Sequence, residues 1–501
     1  MKLIKNKINL LVIVIWAIGF FLRIYRQSAL LGFYYDQGRD AKIAHDIISG
    51  TNFPAIGPTT GIQGLYLGPF WFYLITPGYL FGNGNPATAS WFIAFLDSLT
   101  IPLIYIFLSK YAENKKAGII GAILWSFSHY LIRSARWFSN PSPLPFFVLL
   151  IMIITLEIIQ NKKYKYIPLL TLLLGLSLQL EAASAIFFFP ILLVFFIINL
   201  KTIKKIPTKF WLQSVLSFGI LLLPQIAFEI KNKFVITKTF FGFLTGKVNS
   251  DTGKSWAIPS LEFIGKRLIA YYQNLFSKLD TNVTPKSIIL LIIFVFGTIY
   301  LIIKYRRVLS YQLNLLWLFI PLFLLLFFSG NYGNLYGYYL TGFFPAFIIL
   351  FALIITSVNN LFLSGLLISI TFIIFYLGTF IHLKNYLSAG TDGPEHITLG
   401  SELDAVKYIC QLSKDKDYNL DIYVPPITPH SYEYLFAWQN RIGRCRQPTS
   451  EKQNVIHILY EVDPPSPERL KNWMVKYQNY PLVEKNGFGG VYVEIRRYPQ
   501  K

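Results

Sequence analysis

Long apolar runs separated by short polar connections set the frame of the chain. They fall at residues 8–25, 91–108, 117–132, 144–159, 167–180, 185–200, 210–228, 287–303, 313–328, 340–357 and 361–380. A membrane-spanning helix needs about 20 mainly apolar residues, so the pattern predicts about eleven spans. Residues 65–81 are as apolar but contain Gly68, Pro69, Pro77 and Gly78. They read as a helix lying along the outer face, inside one long external loop over residues 31–90. After residue 382 the pattern changes to short alternating segments. Residues 421–424, 455–460 and 491–495 predict strands, and 401–412 and 467–477 predict amphipathic helices. The reading is an all-α polytopic membrane part over residues 1–381, followed by a small α/β domain over 382–501.

Composition agrees. Of 501 residues, 54% are hydrophobic and 14% charged, too apolar for a soluble chain of this length. The net charge of +21 would suggest nucleic acid in a soluble protein, but its placement points to topology instead. Lys110/Lys115/Lys116, Lys162/Lys163/Lys165, Lys201/Lys204/Lys205/Lys209 and Lys304/Arg306/Arg307 fall in alternate connections. The positive-inside rule puts these in the cytoplasm together with the amino terminus. An odd number of spans then leaves residues 382–501 outside, as a multi-pass protein of the cell membrane.

The external loop over 229–286 is also basic, Arg267 and Lys278 included. Long loops obey the charge rule weakly, and these side chains read as solvated or facing lipid headgroups. The first span starts basic, as a signal peptide would, but no small-x-small cleavage site follows, so it reads as an uncleaved anchor. Cys410 and Cys445 lie in the outer segment, where a disulfide is permitted and two free thiols are equally compatible. There is no P-loop or dinucleotide glycine signature, no zinc spacing and no internal repeat.

Candidate chemistry begins just past the first span, at Tyr35-Asp36-Gln37-Gly38-Arg39-Asp40. Asp36 and Asp40 are spaced i, i+4 on a predicted helix over 37–49, so they share a face. Such a pair suits acid–base work or holding a cation. Equally, Asp36 could cap the helix start while Arg39 snorkels to headgroups. Asp97, inside the second span, needs a partner, and Arg133 or Arg136 could supply it. Gln179 and Glu181 end the fifth span, where they either line a polar site or bond helix to helix.

An aromatic-Asp-(Glu/Gln) pattern after the first span, then an amphipathic helix, then a Gly/Pro-aromatic segment, resembles the GT-C glycosyltransferases. The nearest group is glycosyltransferase family 39 and its relatives, the protein-O-mannosyltransferases and aminoarabinose transferases. The pieces are Tyr35-Asp36-Gln37, residues 41–50 and Leu67-Gly68-Pro69-Phe70-Trp71-Phe72-Tyr73-Leu74. Further ones are Ser134-Ala135-Arg136-Trp137-Phe138-Ser139-Asn140-Pro141, Gly175-Leu176-Ser177-Leu178-Gln179-Leu180-Glu181, and Tyr336-Gly337-Tyr338-Tyr339 before Phe344-Pro345. There are departures. The family's acidic pair is Asp-Gln here, its His-Pro-Pro stretch is Leu-Gly-Pro, and its basic or His position after Gln179 is Glu181.

The resemblance implies a GT-C membrane domain and a sugar donor on polyprenyl monophosphate, met on the outer leaflet. Asp36 would be the general base, taking the proton of an acceptor hydroxyl that attacks with inversion. An arginine would stabilise the leaving phosphate without a metal: Arg136 first, with Arg39 and Arg133 behind it. Asp40, Asn140, Gln179, Glu181 and Tyr339 complete the implied donor and substrate contacts. No cofactor is implied, although the Asp36/Asp40 pair leaves room for a divalent cation. The partners are the lipid-linked sugar, the bilayer and an acceptor on lipid, glycan or protein. A lipid or glycan transporter is the alternative, but such folds pair inverted halves, and the sequence has no such symmetry. A reporter fused after His382 should report an extracytoplasmic position; a cytoplasmic signal would overturn this topology.

Overall fold

The computed structural model describes residues 2–245, 259–328, 334–389, 397–413, 416–425 and 428–499. Among these, six helices are long and apolar enough to cross a membrane: Ile8–Leu30, Pro86–Tyr111, Thr208–Lys231, Ser287–Tyr305, Gly337–Thr356 and Leu361–Ser388. Four apolar helices are shorter, at Leu144–Ile159, Tyr164–Leu180, Ala182–Ile198 and Leu309–Leu325. Together they overlie every predicted run except 117–132. That run is broken into Lys115–Phe127 and His129–Arg136, because the Ser128 hydroxyl accepts the amide of Leu131 and starts a new helix. In the 65–81 stretch only Phe70–Phe81 is helical, beginning directly after Gly68-Pro69 and ending at Gly82.

Two buried arginines hold the first helix. Arg23 is fully buried and ion-pairs with Asp97 at 2.8 Å. Its remaining nitrogens donate to the carbonyls of Gly19 (2.9 Å) and Trp125 (3.2 Å), joining three helices. The expected pairing of Asp97 with Arg133 or Arg136 is therefore corrected. Arg23 reaches Asp97 from the neighbouring helix, while Arg136 caps the end of the first helix. Arg136 donates to the carbonyls of Leu22 (3.1 Å) and Tyr25 (2.7 Å), and to the Tyr386 hydroxyl (3.0 Å). Carbonyls at a helix end have no partner within the helix and carry its negative dipole end, so a guanidinium there satisfies both.

The stretch expected as one external loop over 229–286 is largely helical where described. Val235–Leu244 follows Thr208–Lys231, and Leu261–Phe276 precedes Ser287–Tyr305.

The tail folds as a four-stranded sheet. Its strands are β1 (Asn419–Tyr423), β2 (Val455–Glu461), β3 (Leu482–Phe488) and β4 (Val491–Arg497), in the order β1-β2-β4-β3. β1 runs parallel to β2, with Asn419 opposite Ile456, and the other pairings are antiparallel. Three helices accompany the sheet, at Leu399–Leu412, His430–Arg441 and Pro467–Met474. The helix beginning at Leu361 continues to Ala389, past the expected boundary at residue 382. A disulfide joins Cys410 to Cys445, with Cα atoms 4.9 Å apart, which settles the open choice between a bridge and free thiols.

Candidate active site

Asp36 lies in the first turn of helix Tyr35–Ile48. The helix start is closed without it: Gln37 accepts the amide of Tyr34 at 3.1 Å and donates to the carbonyl of Phe138 at 3.0 Å. The cap position belongs to Tyr34, so the capping explanation for Asp36 falls away. The Asp36 side chain is 64% exposed and faces a cavity of about 1290 Å³. The same cavity is lined by Arg133, Trp137 and Asn140 and by Glu181, Tyr338 and Tyr339. Thr59–Ile62 of the first external loop and Phe240 and Phe243 of helix Val235–Leu244 close other sides.

The structure brings Asp36, Arg133, Asn140, Glu181 and Tyr339 to this cavity and leaves Arg39, Asp40, Arg136 and Gln179 out of its lining. Arg39 sits between the two carboxylates, 2.9 Å from Asp36 and 2.7 Å from Asp40, in the place a cation would take. Asp40 is buried and accepts the indole N–H of Trp71 at 2.6 Å. Burial raises its pKa to about 6, against the opposing pull of Arg39 and Trp71. Its surroundings suit an anchor for Arg39 and the helix. Gln179 accepts the amide of Phe70 (3.1 Å) and donates to the carbonyl of Leu221 (3.0 Å). Its side chain lies against Gly68, where a Cβ would overlap the amide carbon; only glycine allows this approach.

Arg136 faces a separate enclosure of about 10 Å³ with Tyr386, room for no more than one water. The arginine on the cavity wall is Arg133, one turn earlier on the same helix. Asn140 donates from the cavity wall to the carbonyl of Leu180. Glu181 breaks the chain between two helices in extended conformation, and its carboxylate accepts the amide of Ala183 at 3.1 Å. It is only 7% exposed, and burial raises its pKa to about 7.

Two cations that the sequence reading left in a solvated loop lie buried behind the cavity wall. Arg267 donates to the carbonyl of Phe328 at 2.5 Å, while its Nε and Nη1 have no partner among the described residues. Phe328 lines the cavity. The signal was present: Arg267, Tyr271 and Leu275 recur at i, i+4, i+8 and form the buried face of helix Leu261–Phe276. Lys278 is fully buried, with Nζ 3.4 Å from the Tyr130 ring centre and 3.8 Å from that of Phe344. Both rings line the cavity. Burial without a carboxylate partner holds the Lys278 amine well below its usual pKa.

Residues 11–241 match the family described as dolichyl-phosphate-mannose-protein mannosyltransferase. The whole chain superposes on ArnT from Cupriavidus metallidurans in the apo state, with a TM-score of 0.61 at 10% identity, covering 98% of each chain. ArnT bound to undecaprenyl phosphate gives a TM-score of 0.59 at 10% identity, over 98% of this chain and 97% of that one. The chain shares the fold of ArnT, and its residues 11–241 are similar to the mannosyltransferase family.

A third GT-C structure, the archaeal oligosaccharyltransferase AglB from Archaeoglobus fulgidus with an inhibitory peptide and a dolichol-phosphate, gives a TM-score of 0.52 at 11% identity. It covers 98% of this chain and 74% of that one. No curated protein matches the sequence. Glu181 makes a pH prediction. With a raised pKa it is neutral below about pH 7 and adds a negative charge to the cavity above it. Inorganic phosphate, as a plain anionic probe of the cavity, should therefore bind Glu181→Gln increasingly better than the parent protein as pH rises from 6 to 8. The phosphate's own ionisation is common to both proteins. A parallel pH dependence in the two would place Glu181 away from the bound anion.

Proposed function

We propose that this membrane glycosyltransferase moves a sugar from a polyprenyl monophosphate to a hydroxyl of a lipid, glycan or protein acceptor on the extracytoplasmic face. The carrying observation is Asp36, an exposed carboxylate on a cavity whose lining also includes Arg133. Asp36 takes the acceptor's hydroxyl proton as the oxygen attacks the anomeric carbon from the side away from the phosphate. The bond from that carbon to the phosphate oxygen breaks, the phosphate leaves with the electron pair, and the configuration inverts.

The growing charge on the leaving group needs fixed positive donors in a site poor in water. Arg133 takes the role first given to Arg136, whose guanidinium is held by helix-end carbonyls. Arg267, with two nitrogens unpartnered among the described residues, supplies a second positive centre behind Phe328. The prenyl chain suits the apolar side made by Ile186, Phe187, Phe243 and Leu325. Arg39 pairs with Asp36 at 2.9 Å, and Asp40 in turn holds Arg39. The likeness to proteins solved with undecaprenyl phosphate and dolichol-phosphate supports the donor class.

The test is Asp36→Asn, which keeps the shape of the side chain but cannot accept a proton. Transfer is measured in membranes of a deletion strain carrying each variant, with the strain's own lipid-linked sugars as donors. Asp36→Asn should insert normally and bind undecaprenyl phosphate, but lose at least about a hundredfold in transfer, the scale of a missing acid–base group. Near-normal transfer would remove Asp36 as the base.

A further inference from the structure

Asp36 itself is held loosely. Its carboxylate is mostly exposed and ion-pairs with Arg39, a residue of the same helix. The helix is fixed in space from two sides, by Phe138 and Trp71 of the membrane part and by the far end of the chain. Helix His430–Arg441 of the tail lies directly on helix Tyr35–Ile48, and the contact is backbone to backbone. A Cβ at Gly38 would overlap the carbonyl carbon of His430 and the amide nitrogen of Ser431. One turn earlier, the His430 ring packs on that of Tyr35, with centres 4.7 Å apart.

The same tail helix holds the neighbouring elements. The Tyr434 hydroxyl donates to the carbonyl of Gly84 at 2.7 Å, and the Trp438 indole N–H donates to that of Asn83 at 2.9 Å. The Tyr434 ring also meets Phe33 and Tyr79. Just before the tail helix bundle, the amide of Leu399 donates to the carbonyl of Leu31 at 2.7 Å, and the Tyr34 hydroxyl donates to the carbonyl of Ile397 at 3.0 Å. The tail therefore grips the chain on both sides of Asp36, at Leu31–Tyr34 and at Gly38.

We infer that the C-terminal domain is a positioning element of the active site, which sets where Asp36 stands over the cavity through the contact of His430 and Ser431 with Gly38. A general base acts only within hydrogen-bond reach of its proton, and a displacement of about 1 Å can cost on the order of a hundredfold in rate. Gly38 allows an approach closer than any side chain would permit, so the position of the Asp36 turn is fixed by contact with a rigid backbone. This inference rests on the reading of Asp36 as the base.

Three full-length variants test it, scored for transfer, for undecaprenyl phosphate affinity and for thermal unfolding. Gly38→Ala forces the two helices apart by the width of a methyl group. It should lose at least about tenfold in transfer while undecaprenyl phosphate affinity stays within about twofold, because the base acts on the acceptor hydroxyl and not on the donor's headgroup. Tyr434→Phe combined with Trp438→Phe adds no volume and removes two hydrogen bonds to the membrane part. It should show a smaller loss of transfer, again with affinity retained, and it decides the matter if Gly38→Ala does not fold. Unchanged transfer in the folded variants, or transfer and affinity falling in the same proportion, would overturn the inference. Asp36→Asn, run alongside, separates the two claims. If it loses transfer while Gly38→Ala does not, the positioning role alone fails; if it keeps transfer, the base assignment fails and this inference with it.

Discussion

A charge withdrawn into an apolar helical bundle persists only where a partner meets it, and that constraint sorts the ionisable residues of this protein. Arg23 and Asp97 meet each other, and the remaining donors of Arg23 go to helix carbonyls. Arg136 goes largely to the end of the first helix, and Asp40 to Arg39 and Trp71. Each of these is a joint in the scaffold. Among the described residues, Glu181 accepts one amide and Arg267 donates to one carbonyl, and both lie on or behind the wall of the cavity that Asp36 faces. An unspent buried charge is costly in an isolated protein, and its cost falls when a ligand of matching chemistry arrives.

The same sorting explains what could be read from the sequence. The spans were legible because lipid demands long apolar runs, and run 117–132 misled only in its continuity, where Ser128 restarts the helix. Asp36 stood out as a carboxylate directly beyond a span. Choosing between Arg133 and Arg136 was not possible from spacing, since both lie on one short helix and only three-dimensional packing sends one to the cavity and the other to Leu22 and Tyr25. Arg267 was visible in the period of its helix but was taken for part of a basic loop. In the tail, helix His430–Arg441 was missed because it follows Pro429 without a side-chain cap. Strand β3 was missed because it alternates poorly and lies exposed at the sheet edge.

The cavity and the tail then form one arrangement. The membrane part supplies a largely apolar cavity with Arg133 on its lining and Arg267 behind it, while the tail bears on the short helix carrying the proposed base. Resemblance in sequence pointed to the membrane part alone. The contact of His430 and Ser431 with Gly38 gives the tail a place in the same chemistry.

The most direct measurement is a cryo-electron microscopy map of the full chain in nanodiscs with undecaprenyl phosphate. The account predicts phosphate density in the cavity, within about 3.5 Å of a guanidinium nitrogen of Arg133 or Arg267, with the Asp36 carboxylate facing the open space beside it. Headgroup density outside this cavity, or held away from both arginines, would contradict it.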